Sequence, residues 1–186
     1  MRILGISGSL RSGSYNTQAL RACQRLVPEG SELEIATLHD IPPFNADVQA
    51  EGFPSAVVAV GERIVAADAV LICTPEYNYS VPGVLKNGLD WLSRLESKPF
   101  EKKPTAIMGA SPGRFGTARA QYHLRQVLVF FDASVLNKPE VMISGAHQAF
   151  NEDGSFADER TASFVQSLLQ ALGDHAAMLR RVRSLA

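Results

Sequence analysis

Three short stretches of this chain bring together side chains and bare backbone that could do chemistry. They are Ser7–Thr17 "SGSLRSGSYNT", Pro75–Ser80 "PEYNYS" and Ser111–Gly116 "SPGRFG". In the first, Ser7, Ser9, Ser14 and Thr17 each offer a hydroxyl, and Arg11 supplies a permanent cation whose forked donors suit phosphate oxygens. Gly8 and Gly13 let backbone approach a ligand closely. A helix start leaves N–H groups unpaired and its dipole favours an anion, so small polar residues there make an anion cradle. A hydrogen bond to a charged group contributes about 1.5–3 kcal/mol, and four or five such bonds would hold a phosphate monoester. Taken alone, the same letters also fit a Gly/Ser connection with a solvated arginine.

Competing motifs can be tested letter by letter. A nucleotide P-loop needs GxxxxGK[ST], and no lysine lies between Met1 and Glu62. The dinucleotide turn needs GxGxxG, and Gly5, Gly8 and Gly13 have the wrong spacing. The hydrolase elbow GxSxG fails because Gly5-Ile6-Ser7-Gly8-Ser9 ends in serine. What remains is a loop for a terminal monophosphate, with a serine esterase using Ser7 or Ser9 as a rival. The second stretch, with Tyr77 and Tyr79 beside exposed backbone, could run along the edge of a flat heterocycle; it could equally be an aromatic turn packed on the fold. In the third, Ser111 offers a hydroxyl and Gly113 and Gly116 allow close approach, while Arg114 could meet a second anionic group or simply be solvated.

The elements around these stretches give them a common place. Met1 to Ser7 reads as a buried strand, followed by a helix capped by Ser14 or Asn16 and ended at Pro28 and Gly30. Leu33 to Leu38 is a second strand, and His39 to Pro54, with three prolines, is a long loop. A helix over Ser55–Ala67 leads into "DAVLICT", Asp68–Thr74, whose continuous apolar run fits a strand covered on both faces. Helices follow over 81–95 and 117–131, the second apolar on more than one face, with a strand over Pro104–Ala110 between them. Ser134–Ile143 is a fifth strand interrupted at Pro139, and an amphipathic helix built on Phe164, Val165, Leu168, Leu172, Leu179 and Val182 runs from Asp158 to about Val182. Strictly alternating strands and helices predict a single α/β domain over residues 1–186, with a parallel sheet joined by right-handed crossovers. Ligands in such sheets sit at the carboxyl ends of the strands, which is where all three stretches fall.

Composition bounds the rest. The chain has 186 residues, 46% hydrophobic and 20% charged, with a formal net charge of −1, so no electrostatic argument favours nucleic acid or an acidic membrane. Near-neutrality also argues against an electron carrier that docks by charge. Cys23 and Cys73 lie outside any metal-ligand spacing and read as buried free thiols, which suits a reducing cytoplasm. His39, His123, His147 and His175 are scattered and read as structural or solvated. A flat heterocycle carrying a terminal monophosphate, in a sheet of this type, points to FMN. Flavin chemistry needs no acid–base pair from the protein, and none is evident.

These residues resemble the flavodoxin-like NADPH-dependent FMN reductases, closest to the bacterial chromate and quinone reductases. The resemblance is carried by "GSLRSGSYN" from Gly8 to Asn16 and "TPEYNYSVPGVLKNGLDWLSR" from Thr74 to Arg94. It continues through "ARAQYHLRQVLVFFDA" from Ala118 and "NKPE" from Asn137. It implies a three-layer flavodoxin-like sandwich with a five-stranded parallel sheet in order 2-1-3-4-5. It implies that Ser9, Arg11, Ser14 and Asn16, with Thr17, bind the FMN phosphate. Pro75, Glu76, Tyr77 and Asn78 would line the isoalloxazine largely through backbone, and Ser111 and Gly113 would close the other side. NADPH or NADH would be co-substrate, and small acceptors such as quinones, flavins, chromate or azo and nitro compounds would take the electrons. The helices over 81–95 and 117–131 would form a homodimer or tetramer interface, and loop 39–54 would cover part of a neighbouring site.

Overall fold

A computed structural model describes residues 1–185. The strands are β1 Arg2–Ser7, β2 Glu32–Ala36, β3 Ala69–Cys73, β4 Pro104–Ala110, β5 Ser134–Val135 and β6 Val141–Ile143. The helices are α1 Tyr15–Cys23, α2 Ala46–Glu51, α3 Ser55–Ala66, α4 Gly83–Leu92, α5 Ala118–Val129 and α6 Glu159–Arg183. The strands form one parallel sheet in the order β2-β1-β3-β4-β5, with β6 also on β4. The expected 2-1-3-4-5 order holds, and the fifth strand is split into two short pieces that pair with the two ends of β4.

Strand geometry explains the two-faced core, because successive side chains point to opposite faces. Ala69, Leu71 and Cys73 of β3 join Ile3, Leu20, Cys23, Met108, Leu168 and Leu172 beneath α1 and α6. Val70 and Ile72 join Leu4, Ile6, Val57, Ile64, Leu85, Leu89, Trp91, Leu124 and Leu128 beneath α3, α4 and α5. Every residue of β3 and β4 is buried, as a central parallel strand requires. Both cysteines are free and buried.

One helix uses other residues than its apolar letters suggest, and another follows them. In α6 the buried stripe is Val165, Leu168, Leu169, Leu172 and Ala176, while Phe164 and Val182 face outward. In α4 the apolar residues Leu85, Leu89, Trp91 and Leu92 are all buried, and the outer side carries the Lys86–Asp90 ion pair. The region 39–54 is not a plain loop, since it contains α2, capped by the Asn45 side chain. It is pinned to α4 of its own chain. The Pro42 carbonyl accepts from Trp91 Nε1 and Asn87 Nδ2, both at 2.8 Å, and Phe44 meets the Trp91 ring edge-on at 5.0 Å.

Candidate flavin site

The carboxyl ends of β1, β3 and β4 lie in register, with Ser7 opposite Cys73 and Cys73 opposite Met108. The three stretches that follow them are tied together at their bases. The Gly8 N–H donates to the Cys73 carbonyl at 2.9 Å, and the Thr74 N–H to the Met108 carbonyl at 3.0 Å. Asn16 completes the junction, with Nδ2 donating to the Ala110 carbonyl at 3.0 Å and Oδ1 accepting from the Ala110 N–H at 2.9 Å. The Cys73 thiol also donates to Asn16 Oδ1, and burial pushes this thiol well above its ordinary value, so it is held protonated.

The first stretch folds as a closed turn leading into a helix mouth. The Ser14 N–H donates to the Arg11 carbonyl at 3.0 Å, and Ser14 Oγ accepts from the Thr17 N–H as the N-cap of α1. Ser7 Oγ and Thr17 Oγ1 share a hydrogen bond at 2.8 Å, and Ser9 Oγ accepts from the Arg11 N–H at 3.3 Å. Arg11 is exposed, its guanidinium 4.8 Å from the Tyr15 ring centre. The N–H groups of Tyr15 and Asn16, in the first turn of α1, make no hydrogen bond among the described residues. The structure therefore divides the candidates. Asn16 and Thr17 spend their side chains inward, so Asn16 offers its backbone N–H, while Ser9, Arg11 and Ser14 stand at the mouth. Unpaired N–H groups, hydroxyls and one free guanidinium, with no carboxylate between Ser7 and Thr17, form a donor set that fits a monophosphate.

Among the described residues, the hydroxyls of Ser7 and Ser9 are bonded only to Thr17 and to backbone groups of their own stretch, and to no histidine, lysine or carboxylate that could act as a base. Ser7 is fully buried and bonded to Thr17. Three of the histidines are bonded to other groups: His39 to the Leu10 carbonyl, His123 to Ser80 Oγ and His175 to Ser134.

The second stretch is a two-residue hairpin. Tyr77 and Ser80 exchange backbone hydrogen bonds at 3.1 and 3.0 Å, with Asn78 and Tyr79 at φ 49° and 67°. This is type I′ geometry, which Asn accepts readily and Tyr does not. Arg119 of α5 holds the turn, its guanidinium 3.7 Å from the Tyr79 ring centre. The N–H groups of Asn78 and Tyr79 make no hydrogen bond among the described residues, leaving donors for the edge of a flat ring. Glu76 is the member of this stretch whose side chain turns away. Its carboxylate accepts from Arg119 Nε at 2.5 Å and from the Arg119 and Ala120 N–H groups at 3.0 and 3.2 Å, and it pairs with the second guanidinium nitrogen of Arg119. It thus caps α5, whose own N-cap Thr117, at φ 77°, makes no side-chain cap. Nothing in the letters near Glu76 signals this role, because its partners lie more than forty residues away.

The third stretch is anchored rather than loose. The Ser111 N–H donates to the Ile143 carbonyl at 2.9 Å, and Ser111 Oγ accepts from the Gly113 N–H at 3.1 Å. Gly116, at φ 52°, lies so close to Met142 that a Cβ there would be 2.7 Å from backbone.

Residues 1–148 match the NADPH-dependent FMN reductase family. An NAD(P)H-dependent FMN reductase of Pseudomonas aeruginosa is 59% identical over 172 residues, 92% of this chain and 93% of that protein. A quinone reductase of Escherichia coli is 45% identical over 177 residues, 94% of each chain. The solved structure of FerB, a flavoenzyme NAD(P)H:(acceptor) oxidoreductase from Paracoccus denitrificans, aligns with a TM-score of 0.87 at 35% identity, covering 95% of this chain and 97% of that one. The chain belongs to the NADPH-dependent FMN reductase family.

Proposed function

We propose that this chain, an NAD(P)H-dependent FMN reductase by family, works as one FMN-binding unit that passes electrons from NADPH or NADH to small acceptors. Quinones, free flavins, chromate and azo or nitro compounds are the classes in view. The observation that carries the reading is the set of backbone donors left unpaired, among the described residues, at two of the three stretches: Tyr15 and Asn16 N–H at the helix mouth, and Asn78 and Tyr79 N–H on the hairpin. When bound, FMN supplies the redox chemistry. The protein's share is to bind and orient. Ser9, Arg11, Ser14 and the first-turn N–H groups hold the phosphate, with Thr17 supporting them through Ser7. Pro75, Tyr77 and Asn78 present backbone to the ring edge, Glu76 fixes their position through α5, and Ser111 and Gly113 close the opposite wall.

A flat, open binding face selects weakly among acceptors of similar shape, so donor and acceptor use the same place in turn. Parallel double-reciprocal lines are expected when NAD(P)H and quinone are varied together, and converging lines would overturn this order. The purified protein should be yellow, release FMN on denaturation and consume NAD(P)H steadily in the presence of a quinone. Negligible turnover from a yellow protein would instead indicate a flavodoxin-type electron carrier.

Arg11→Ala should weaken FMN retention about ten-fold or more, the value of one charge-assisted contact. The urea midpoint should barely move, because Arg11 is exposed. Equal flavin content after equal dialysis would remove Arg11 from the phosphate site.

The proposed self-association is supported by the outer surface of α5 and the residue after it, where Tyr122 and His123 are exposed and Val129 and Phe130 are 76% and 74% exposed. Apolar side chains of this size, so open, mark a partner surface. A homodimer or tetramer through the 117–131 helix, with the 81–95 helix beside it, would cover them. Phe130→Asp should shift the sedimentation profile toward monomer; an unchanged profile would place the interface elsewhere.

No helix of the described residues is long and apolar enough to cross a membrane.

A further inference from the structure

The cations near the three stretches differ in what they already do. Arg119 is held by Glu76 and lies over Tyr79. Arg11 stands over Tyr15 at the helix mouth. Arg114, in the third stretch, is exposed and makes no hydrogen bond or ion pair among the described residues. Its neighbour Phe115 is 61% exposed, with the Arg119 guanidinium 5.1 Å from its ring centre. The turn that carries this pair is fixed at both ends. Ser111 is bonded to Ile143 and Ala146 through backbone, the Gly116 N–H donates to the Gly113 carbonyl, and Gly116 is pressed on Met142. An unspent guanidinium and an exposed aromatic ring are therefore carried by consecutive residues of a well-anchored turn at the carboxyl end of β4.

We propose that Arg114 and Phe115 form a subsite for the adenylate end of the nicotinamide donor, in which Arg114 meets the 2′-phosphate, and that the enzyme consequently prefers NADPH to NADH. This rests on the reading of the chain as an FMN reductase. The two donors differ only by that phosphate, so a site can separate them only through a group that responds to its charge. The chain's net charge of −1 provides no general attraction for the more anionic donor, and the preference has to come from a local cation. A guanidinium matches phosphate with two parallel donors, and one that is already paired would have to give up its partner first. Arg114 has none to give up. The ring of the next residue, 61% exposed although Arg119 lies against it, offers a face on which a purine can stack.

The test uses the flavin-loaded protein as purified. Wild type should show a kcat/KM ratio of NADPH to NADH above one. Arg114→Ala should lower that ratio about ten-fold, through a higher KM for NADPH. Arg114→Lys should keep part of it. Added salt should narrow the wild-type ratio, since the contact is exposed, and leave the alanine variant's ratio unmoved. Calorimetry gives a readout independent of turnover. Wild type should bind 2′,5′-ADP more tightly than 5′-AMP, and Arg114→Ala should bind the two alike. A ratio that Arg114→Ala leaves in place, or a 2′,5′-ADP advantage that survives it, overturns the subsite while the flavin reading stands. A protein that oxidises neither donor overturns the flavin reading, and the calorimetric comparison still decides the subsite.

Discussion

Glu76→Ala should lower the unfolding free energy by about 2–3 kcal/mol and loosen bound flavin in the same protein. The carboxylate is only 8% exposed and accepts hydrogen bonds from Arg119 Nε and from two N–H groups of the first turn of α5. Removing it leaves those N–H groups and a guanidinium without their acceptor. Breaking a fully buried pair costs about 3–5 kcal/mol. The Arg119 side chain is 35% exposed, and water there reduces the loss. The effect on flavin follows from position. Glu76 is the point at which the 75–80 hairpin is fastened to α5, and Arg119, freed from it, no longer holds the Tyr79 ring in place. Urea unfolding and the flavin-to-protein ratio after gel filtration would read both effects. A midpoint equal to wild type would show that the pair contributes nothing.

The same group makes stability depend on pH. Burial pushes the Glu76 carboxyl up, but the hydrogen bonds from Arg119 and the Ala120 N–H, with the Arg119 charge, outweigh it and hold the group below its ordinary 4.5. A carboxyl whose folded pKa is depressed stabilises fully above its unfolded value, and that stabilisation is lost as pH falls through the folded one. Wild type and Glu76→Gln should therefore differ most near neutrality and converge as pH drops below 4.5. A gap that stays constant through the acid range would mean that the carboxylate's charge is not what stabilises.

How far the letters reach is seen by comparing residues within one stretch. Ser14 was readable as a cap because its partner, the Thr17 N–H, lies three residues on. The parallel sheet was readable because strands alternate with helices joined by right-handed crossovers, whereas its order came from the family resemblance. Asn16 was readable as polar and near the mouth, yet its amide is spent on Ala110, 94 positions away, and no local pattern encodes a contact of that span. Glu76 is hidden for the same reason. The hairpin at Asn78-Tyr79 carries no Asn-Gly signal. Its left-handed Tyr79 is held by an arginine from another element, so tertiary contact overrides local preference. Helix periodicity located α6 but assigned Phe164 and Val182 to its core, because an apolar residue at the margin of a stripe fits either side. Surface and function compete for such residues, and only packing decides.

Gly109→Ala should be the most damaging glycine-to-alanine change among the described residues, destabilising by about 3 kcal/mol or more, at the top of the usual range for an overpacked core. A Cβ built at Gly109 would lie 2.0 Å from Thr117 Oγ1, 2.3 Å from the Thr74 carbonyl oxygen and 3.0 Å from Thr117 Cβ. None of these can step aside cheaply. The Thr74 carbonyl is backbone at the end of β3, whose N–H is bonded to Met108 of β4. Thr117 is buried in a left-handed conformation, and its hydroxyl accepts from Gln121 Nε2 at 3.1 Å. Relief would require β3 to part from β4 at the point where the second and third stretches begin, or α5 to move off the sheet. Either movement displaces Glu76 and Ser111 together, so loss of stability and loss of bound FMN should appear in the same variant. Gly113→Ala is the matched control for stability, since its Cβ would meet only Ser111 Oγ at 3.4 Å, an ordinary contact. Its unfolding free energy should stay within about 0.5 kcal/mol of wild type, as surface changes usually do. A Gly109→Ala protein that unfolds at the wild-type midpoint would show that the three stretches are not crowded onto one fixed point, and the geometric account of the site would fall with it.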